Sequence, residues 1–281
     1  MGGPMAGWLA KQSHTVTVWN RTQKKADIWK DGYTGVVASD PGEAVRSADF
    51  VFMCLGDDPD VERVFDQMED GLAKGAIVVD HTTASRQLAK QLSVRCLKRG
   101  VHFMDAPVSG GQAGAENGKL TVMAGGDKDV FARASPVMQA YSANMTLIGP
   151  VGSGQLAKSV NQICIAGVLQ GLAEGLHFAK RADLDIEAVL KAISGGAAQS
   201  WQMDNRASSM NEGQYDFGFA VDWMRKDLRI ALETARTNGA QLPLTALVDQ
   251  FYADVQSKGG SRLDTSSLLM RLETQTKNGA E

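Results

Sequence analysis

Two unbroken apolar runs, Asp49-Phe-Val-Phe-Met-Cys-Leu55 and Ala76-Ile-Val-Val-Asp80, constrain this chain more than any other feature. A strand with one wet face alternates apolar and polar residues. An unbroken run is covered on both faces, as in a parallel sheet sandwiched between helices. The neighbouring segments fit that arrangement. His14-Thr-Val16-Thr-Val18-Trp19-Asn20-Arg21-Thr22 alternates and is β-branched, the pattern of a strand, and residues 35–38 read as a short extended piece. His102-Phe-Met-Asp105 and Leu120-Thr-Val-Met-Ala124 read as two further strands separated by a glycine-rich loop. Helical sequence lies between the strands at 22–29, 41–47, 59–71 and 86–100, and the first ten residues read as a glycine-rich turn entering a short helix. Strands alternating with helices predict an α/β fold built on a Rossmann-type, doubly wound parallel sheet.

Beyond Gly152 the strand pattern stops. Helices are predicted near 155–180, 185–194, 198–211, 221–238, 243–257 and 265–276, so the second part is all-α. The boundary falls at Gly149-Pro150, giving a dinucleotide-binding domain over 1–149 and a helical substrate and oligomerisation domain over 150–281. The second domain opens with a long interdomain helix of roughly 40 Å. Leu156, Val160, Ile163 and Gly167 share one face of it, with Ile165, Leu169, Leu172 and Leu176 close behind. Such a helix, apolar nearly all round, reads as buried. Gln170, Glu174 and His177 interrupt it too often for a membrane span. At its start Lys158, Asn161 and Gln162 stand three and four residues apart, on one face. Spacing alone favours a lysine snorkelling from a helix start.

At 281 residues the chain has length for one large domain or two ordinary ones, and 43% apolar with 22% charged residues is a soluble globular composition. A net charge of −3 gives no electrostatic case for nucleic acid or an anionic membrane as partner. Cys54, Cys96 and Cys164 are scattered and form no CxxC pair, which fits a reducing compartment and argues against a disulfide frame or zinc site. His14, His81, His102 and His177 show no HxxxH spacing, so no metal is expected. No signal peptide or repeat is read, and the cytoplasm is the default expectation.

The dinucleotide fingerprint of such folds is strand, G-x-G-x-x-G, helix. This sequence begins inside it: Gly2 serves as the last glycine, and the first two glycines and the strand before them are absent. Two explanations compete, a start assigned at an internal methionine or a truncated polypeptide, and the regularity of the remainder favours the first. At the end of the next strand an acid would bind the ribose hydroxyls of NAD, but Asn20, Arg21 and Thr22 stand there. A guanidinium suits a 2′-phosphate, so NADP is expected, with NAD the alternative. Leu55 and Thr83 lie at carboxyl ends of strands, the edge where cofactors bind.

Four motifs decide the weighing of Lys158. In order they are Met1-Gly2-Gly3-Pro4-Met5-Ala6; Asp105-Ala-Pro-Val-Ser109-Gly110-Gly111 followed by Gly118-Lys-Leu120 and Met123-Ala-Gly125-Gly126; Gly154-Gln-Leu-Ala-Lys158-Ser-Val-Asn161-Gln162; and Lys226-Asp227-Leu228. Together, across the whole chain, they resemble the β-hydroxyacid dehydrogenase family, which includes 3-hydroxyisobutyrate dehydrogenases and 2-hydroxy-3-oxopropionate reductases. Asn161-Gln162 and Gly239-Ala-Gln-Leu-Pro-Leu-Thr245 look most like the latter branch.

The resemblance implies a hydride transfer between a nicotinamide cofactor and a small β-hydroxy acid or its semialdehyde. Lys158 resembles the family's catalytic lysine, general acid in reduction and general base in oxidation, a role that needs its pKa lowered by burial or nearby positive charge. The family's carboxamide usually sits four residues after that lysine, at Gln162 here, with Asn161 one position earlier; which of the two orients the substrate hydroxyl stays open. Ser109, Gly110 and Gly111 resemble the carboxylate-binding loop, where glycines let backbone N–H groups converge on an anion. Gly2, Pro4 and Met5 fall on the phosphate loop, and Lys226 on a lysine that approaches the cofactor. Trp201, Phe217 and Trp223 are expected in the core rather than lining the site. The resemblance also implies a homodimer or homotetramer. Two other readings stand beside it: a non-catalytic scaffold crippled at the phosphate loop, and an imine reductase, which the lysine argues against.

Overall fold

The computed structural model describes residues 1–276 and divides into two compact units, Met1–Lys158 and a second beginning at Ser159. In the first, β1 (Thr17–Val18) and β2 (Val36–Val37) pair in parallel as a sheet of their own. The remaining strands, β3 (Phe50–Met53), β4 (Ile77–Asp80), β5 (His102–Asp105), β6 (Val108–Ser109), β7 (Leu120–Gly125) and β8 (Ser142–Gly149), form a second sheet in the order β3-β4-β5-β7-β6, with β8 also on β7. The unbroken apolar runs are explained by its two covered faces. Ile77 and Val79 enter one core with Val122, Met138 and Tyr141, while Ala76 and Val78 enter another with Phe65, Leu92 and Phe103.

Several expectations change in detail. The strand read over 14–22 is paired only at Thr17–Val18, because β2 supplies one partner edge and no strand among the described residues joins β1 to β3. The sheet is parallel through β3, β4 and β5, but β7 runs antiparallel to β5 and β6 and parallel to β8. The glycine-rich loop after Asp105 contains β6 and a short helix, Gly111–Glu116. A helix over Lys128–Met138 and strand β8 have no counterpart in the sequence reading. Pro136 inside the helix and the weak Ser142-Ala-Asn144 start of β8 hid them.

The second unit is helical, with no strand among its described residues. The helices Ile186–Ile193, Trp201–Asn211, Val221–Asn238 and Pro243–Ser257 lie within or on the expected spans, and 265–276 opens with a 3-10 turn before Leu268–Thr276. Trp201–Asn211 begins three residues late because the Ser200 hydroxyl accepts from the Met203 N–H, which fixes the helix start. The long helix runs Ser153–Arg181 and gives Ala166, Leu169, Ala173 and Leu176 to the core. It is not buried all round as expected: Val160, Cys164, Val168 and Phe178 form an exposed stripe at helical spacing. No helix of the described residues is long and apolar enough to cross a membrane.

Candidate active site

The site is built from the start of the long helix. Asp105, fully buried at the end of β5, accepts hydrogen bonds from the backbone N–H groups of Gly152 at 2.6 Å and Gln155 at 2.9 Å. These satisfy donors that a helix start leaves unpaired, and burial still pushes the Asp105 carboxyl above the usual range. The approach is so close that only glycine fits at two positions. A Cβ on Gly154 would run into the Met123 carbonyl oxygen, and one on Gly125 would stand 2.6 Å from Asp105 Oδ1.

One turn beyond Gln155, the Lys158 side chain lies in this same unit, 8% exposed, and its Nζ donates to the Val108 carbonyl oxygen at 2.9 Å. Val108 immediately precedes the expected carboxylate loop. Gly110 has φ +124° and Gly111 φ +61°, conformations that L side chains rarely adopt. Ser109 is half-buried at the end of β6, and the helix Gly111–Glu116 that follows begins with N–H groups lacking intrahelical partners. The chain between Asp105 and Gly111 thus anchors the helix, holds the ammonium, and presents a loop suited to an anion.

The adjacent edge of the sheet is equally well tied. Leu55 N–H donates to Thr82 Oγ1 at 2.9 Å, and Thr82 N–H to Asp80 Oδ1 at 2.9 Å. Burial pushes the Asp80 carboxyl up to about 7, and holds His81 down to about 4. His81 Nδ1 lies 2.6 Å from the Ala106 carbonyl oxygen, which can only accept, so Nδ1 carries the proton and Nε2 accepts from the Tyr141 hydroxyl at 2.8 Å. Thr83, half-buried, follows within two residues.

The remaining dinucleotide candidates lie nearer the surface. The helix Gly2–Lys11 has no side-chain cap and no acid in its first turn, so its positive end suits a diphosphate. A Cβ on Gly2 would stand 3.2 Å from Cys54 Cβ, which sets this helix start against the end of β3. Pro4 is half-buried, but the Met5 side chain belongs to the core, so Met5 meets a ligand only through its backbone. Asn20 Oδ1 accepts from Thr22 N–H at 2.9 Å, and the exposed Arg21 reaches Asp60 at 3.5 Å. A guanidinium at the end of β1 and an uncapped helix start fit the charges of a dinucleotide.

In the second unit the long helix places Asn161 and Gln162 on the turn after Lys158. Asn161 Nδ2 donates to Gln162 Oε1 at 2.8 Å, and Gln162 Nε2 donates to Asp227 Oδ2 at 2.6 Å. Lys226 Nζ pairs with Asp227 Oδ1 at 2.9 Å. The amides therefore share one chain of hydrogen bonds that ends on a buried carboxylate. Trp201 and Trp223 are exposed rather than in the core, and the Arg206 guanidinium lies over the rings of Trp201 and Phe217. Sequence reasoning gave no role to Asp80, Asp105, Gln155 or Asp227. Asp105, Gln155 and Asp227 lay inside the motifs, but a short strand end, a helix start and a charged helix gave no local signal that they are buried.

Residues 1–149 match the family profile described as the NAD binding domain of 6-phosphogluconate dehydrogenase, and residues 152–272 that described as NAD-binding of NADP-dependent 3-hydroxyisobutyrate dehydrogenase. The chain is 59% identical over 276 residues to an oxidoreductase of Shewanella frigidimarina, covering 97% of this chain and 95% of that one. It is 33% identical over 277 residues to the 2-hydroxy-3-oxopropionate reductase of Escherichia coli, covering 97% and 94%. Among solved structures, Mycobacterium tuberculosis 3-hydroxyisobutyrate dehydrogenase with L-serine superposes with a TM-score of 0.89 at 28% identity, covering 97% of this chain and 95% of that one.

Proposed function

This chain belongs to the β-hydroxyacid dehydrogenase family of NAD(P)-dependent oxidoreductases, and from that premise we propose that it interconverts a small carboxylate-bearing semialdehyde and its β-hydroxy acid, with NADP preferred. The substrate is of the 2-hydroxy-3-oxopropionate or 3-hydroxyisobutyrate type. The observation that carries this reading is the Lys158 ammonium, 2.9 Å from the Val108 carbonyl oxygen and next in chain to the left-handed Gly110-Gly111 loop.

The bound nicotinamide supplies or accepts the hydride. Lys158 gives a proton to the oxygen that becomes the hydroxyl in reduction, and removes it in oxidation. Ser109, Gly110 and Gly111 take the carboxylate, whose charge the backbone N–H groups complement. Asn161 and Gln162, one turn further along the same helix, offer carboxamides to the substrate hydroxyl, oriented through Asp227. Gly2, Pro4, Asn20, Arg21, Thr22, Leu55, Thr83 and Lys226 hold the dinucleotide, with Arg21 matching a 2′-phosphate in charge and shape. The exposed stripe Val160, Cys164, Val168 and Phe178 supports a homodimer or homotetramer that covers it, which light scattering would read as a mass of two or four chains.

The test is NADPH oxidation with 2-hydroxy-3-oxopropionate, 2-methyl-3-oxopropanoate and the uncharged aldehyde propanal. The two carboxylates are expected to turn over with kcat/KM at least about a hundredfold above propanal, the worth of a charge-assisted contact. Equal use of propanal would remove the loop's assignment.

A further inference from the structure

The residue three before Lys158 is a glutamine whose side chain is 1% exposed. Both amide atoms of Gln155 are engaged: Oε1 accepts from the Ala84 N–H at 3.0 Å, and Nε2 donates to the Thr82 carbonyl oxygen at 2.8 Å. These two backbone groups bracket Thr83, in the irregular stretch between β4 and the helix Arg86–Lys98. No ladder or helix serves them there, and a buried backbone group without a partner is costly. One donor and one acceptor in a plane match an N–H and a C=O two residues apart, which among neutral side chains a carboxamide provides. Other contacts hold the same stretch. Thr82 N–H is on Asp80, Thr82 Oγ1 receives Leu55 N–H, and Ser85 N–H donates to Asp58 at 2.7 Å. Gln155's own N–H is on Asp105.

We propose that Gln155 is a positioning residue that presets the turn Thr82–Ala84 for the dinucleotide and fixes that turn to the helix start carrying Lys158. The proposal rests on the reading above, in which Leu55 and Thr83 face the cofactor. Its content is that cofactor affinity and the placement of the proton donor share one side chain. A turn preset in the free protein spares the ligand the cost of ordering it.

The test compares wild type, Gln155→Leu and Gln155→Glu as full-length chains, by NADPH fluorescence titration, urea unfolding and steady-state kinetics. Gln155→Leu removes both partners and is expected to weaken NADPH binding by about 10- to 100-fold, with kcat/KM for NADPH falling further than kcat. In Gln155→Glu the ionised carboxylate keeps the bond from Ala84 but faces the Thr82 carbonyl with no proton, whereas the protonated acid donates to it. The ratio of its Kd to that of wild type should therefore fall about tenfold between pH 8 and pH 6, as protonation restores one buried hydrogen bond. Asp58, Asp80 and Asp105 face the same stretch in both proteins, so that ratio is the quantity read. Reduced stability of Gln155→Leu with wild-type Kd would overturn the proposal, leaving Gln155 merely structural. If Gln155→Leu does not fold, a pH-independent ratio for Gln155→Glu would overturn it. Wild type that bound no dinucleotide would overturn the underlying reading itself, a result distinct from either.

Discussion

The carboxyl end of β4, which is tied to that of β5, and the carboxyl end of β1 are both proposed to meet the cofactor, yet they are built in opposite ways. At the first, Asp80, Thr82, Asp105 and Gln155 are buried; Thr82, Asp105 and Gln155 are each hydrogen-bonded to a distant segment, and Asp80 accepts from the Thr82 N–H two residues on. At the second, Asn20, Arg21 and Thr22 are exposed, with a local turn bond and one long contact to Asp60. On the proposed reading, placement of the reacting groups is over-determined, while the choice between NADP and NAD falls to a surface side chain. Changes at the first end should cost catalysis and stability; changes at the second should alter preference alone.

The sharpest break would come at Lys158. Lys158→Ala is expected to lower kcat by on the order of 10²–10⁴, the usual worth of acid–base catalysis, with NADPH affinity near wild type in a fluorescence titration. Undiminished kcat would dissolve the contrast at its root. Next is Asp105→Ala, which leaves the buried N–H groups of Gly152 and Gln155 without their acceptor. Urea unfolding should show a loss of roughly 2–5 kcal/mol; a loss no larger than that of a surface substitution would show that this end is not over-determined.

A smaller effect separates the two buried titrating groups beside that edge. Asp80 is held up to about 7, so between the unfolded carboxyl value and pH 7 the folded chain keeps a proton that the unfolded chain releases, and stability falls as pH rises. His81 is held down to about 4, so from pH 4 to its ordinary value the unfolded chain takes the extra proton, and stability rises with pH. Their slopes oppose each other over this window. Asp80→Asn should leave the histidine's rise uncompensated, steepening stability against pH between 4.5 and 6.5 by up to about 1 kcal/mol per pH unit. An unchanged slope would show that Asp80 is already ionised in the fold. The smallest effect belongs to the exposed end. Arg21→Ala should weaken NADPH binding roughly fivefold, about 1 kcal/mol for an exposed charge contact, and leave NADH and unfolding unaffected. Equal weakening of both cofactors would remove the 2′-phosphate assignment.

The same contrast marks what could be read from the residues. Unbroken runs such as Ala76–Asp80 announce a two-sided core because every side chain obeys one rule. The helices after Gly152 are legible by period for the same reason. Strand β8 and the helix Lys128–Met138 were not, since β8 is partly exposed and a proline near the helix end imitates a break. Lys158 stood out only in its motif, for spacing alone describes any lysine at a helix start. Asp105 and Gln155 stayed silent because their partners are backbone groups 47 to 73 residues away. No local pattern encodes such pairings; the fold must bring them together.

The most direct measurement of the central claim is deuteride transfer in a single turnover. The 281-residue chain is mixed with one equivalent of NADPH deuterated at the transferring C4 position and excess 2-hydroxy-3-oxopropionate, and the acid product is weighed by mass spectrometry. The account predicts a hydroxy acid carrying one deuterium at the former aldehyde carbon, formed by wild type and slowed to the same extent as kcat in Lys158→Ala. Bound NADPH with no labelled product from this semialdehyde or from 2-methyl-3-oxopropanoate would contradict it.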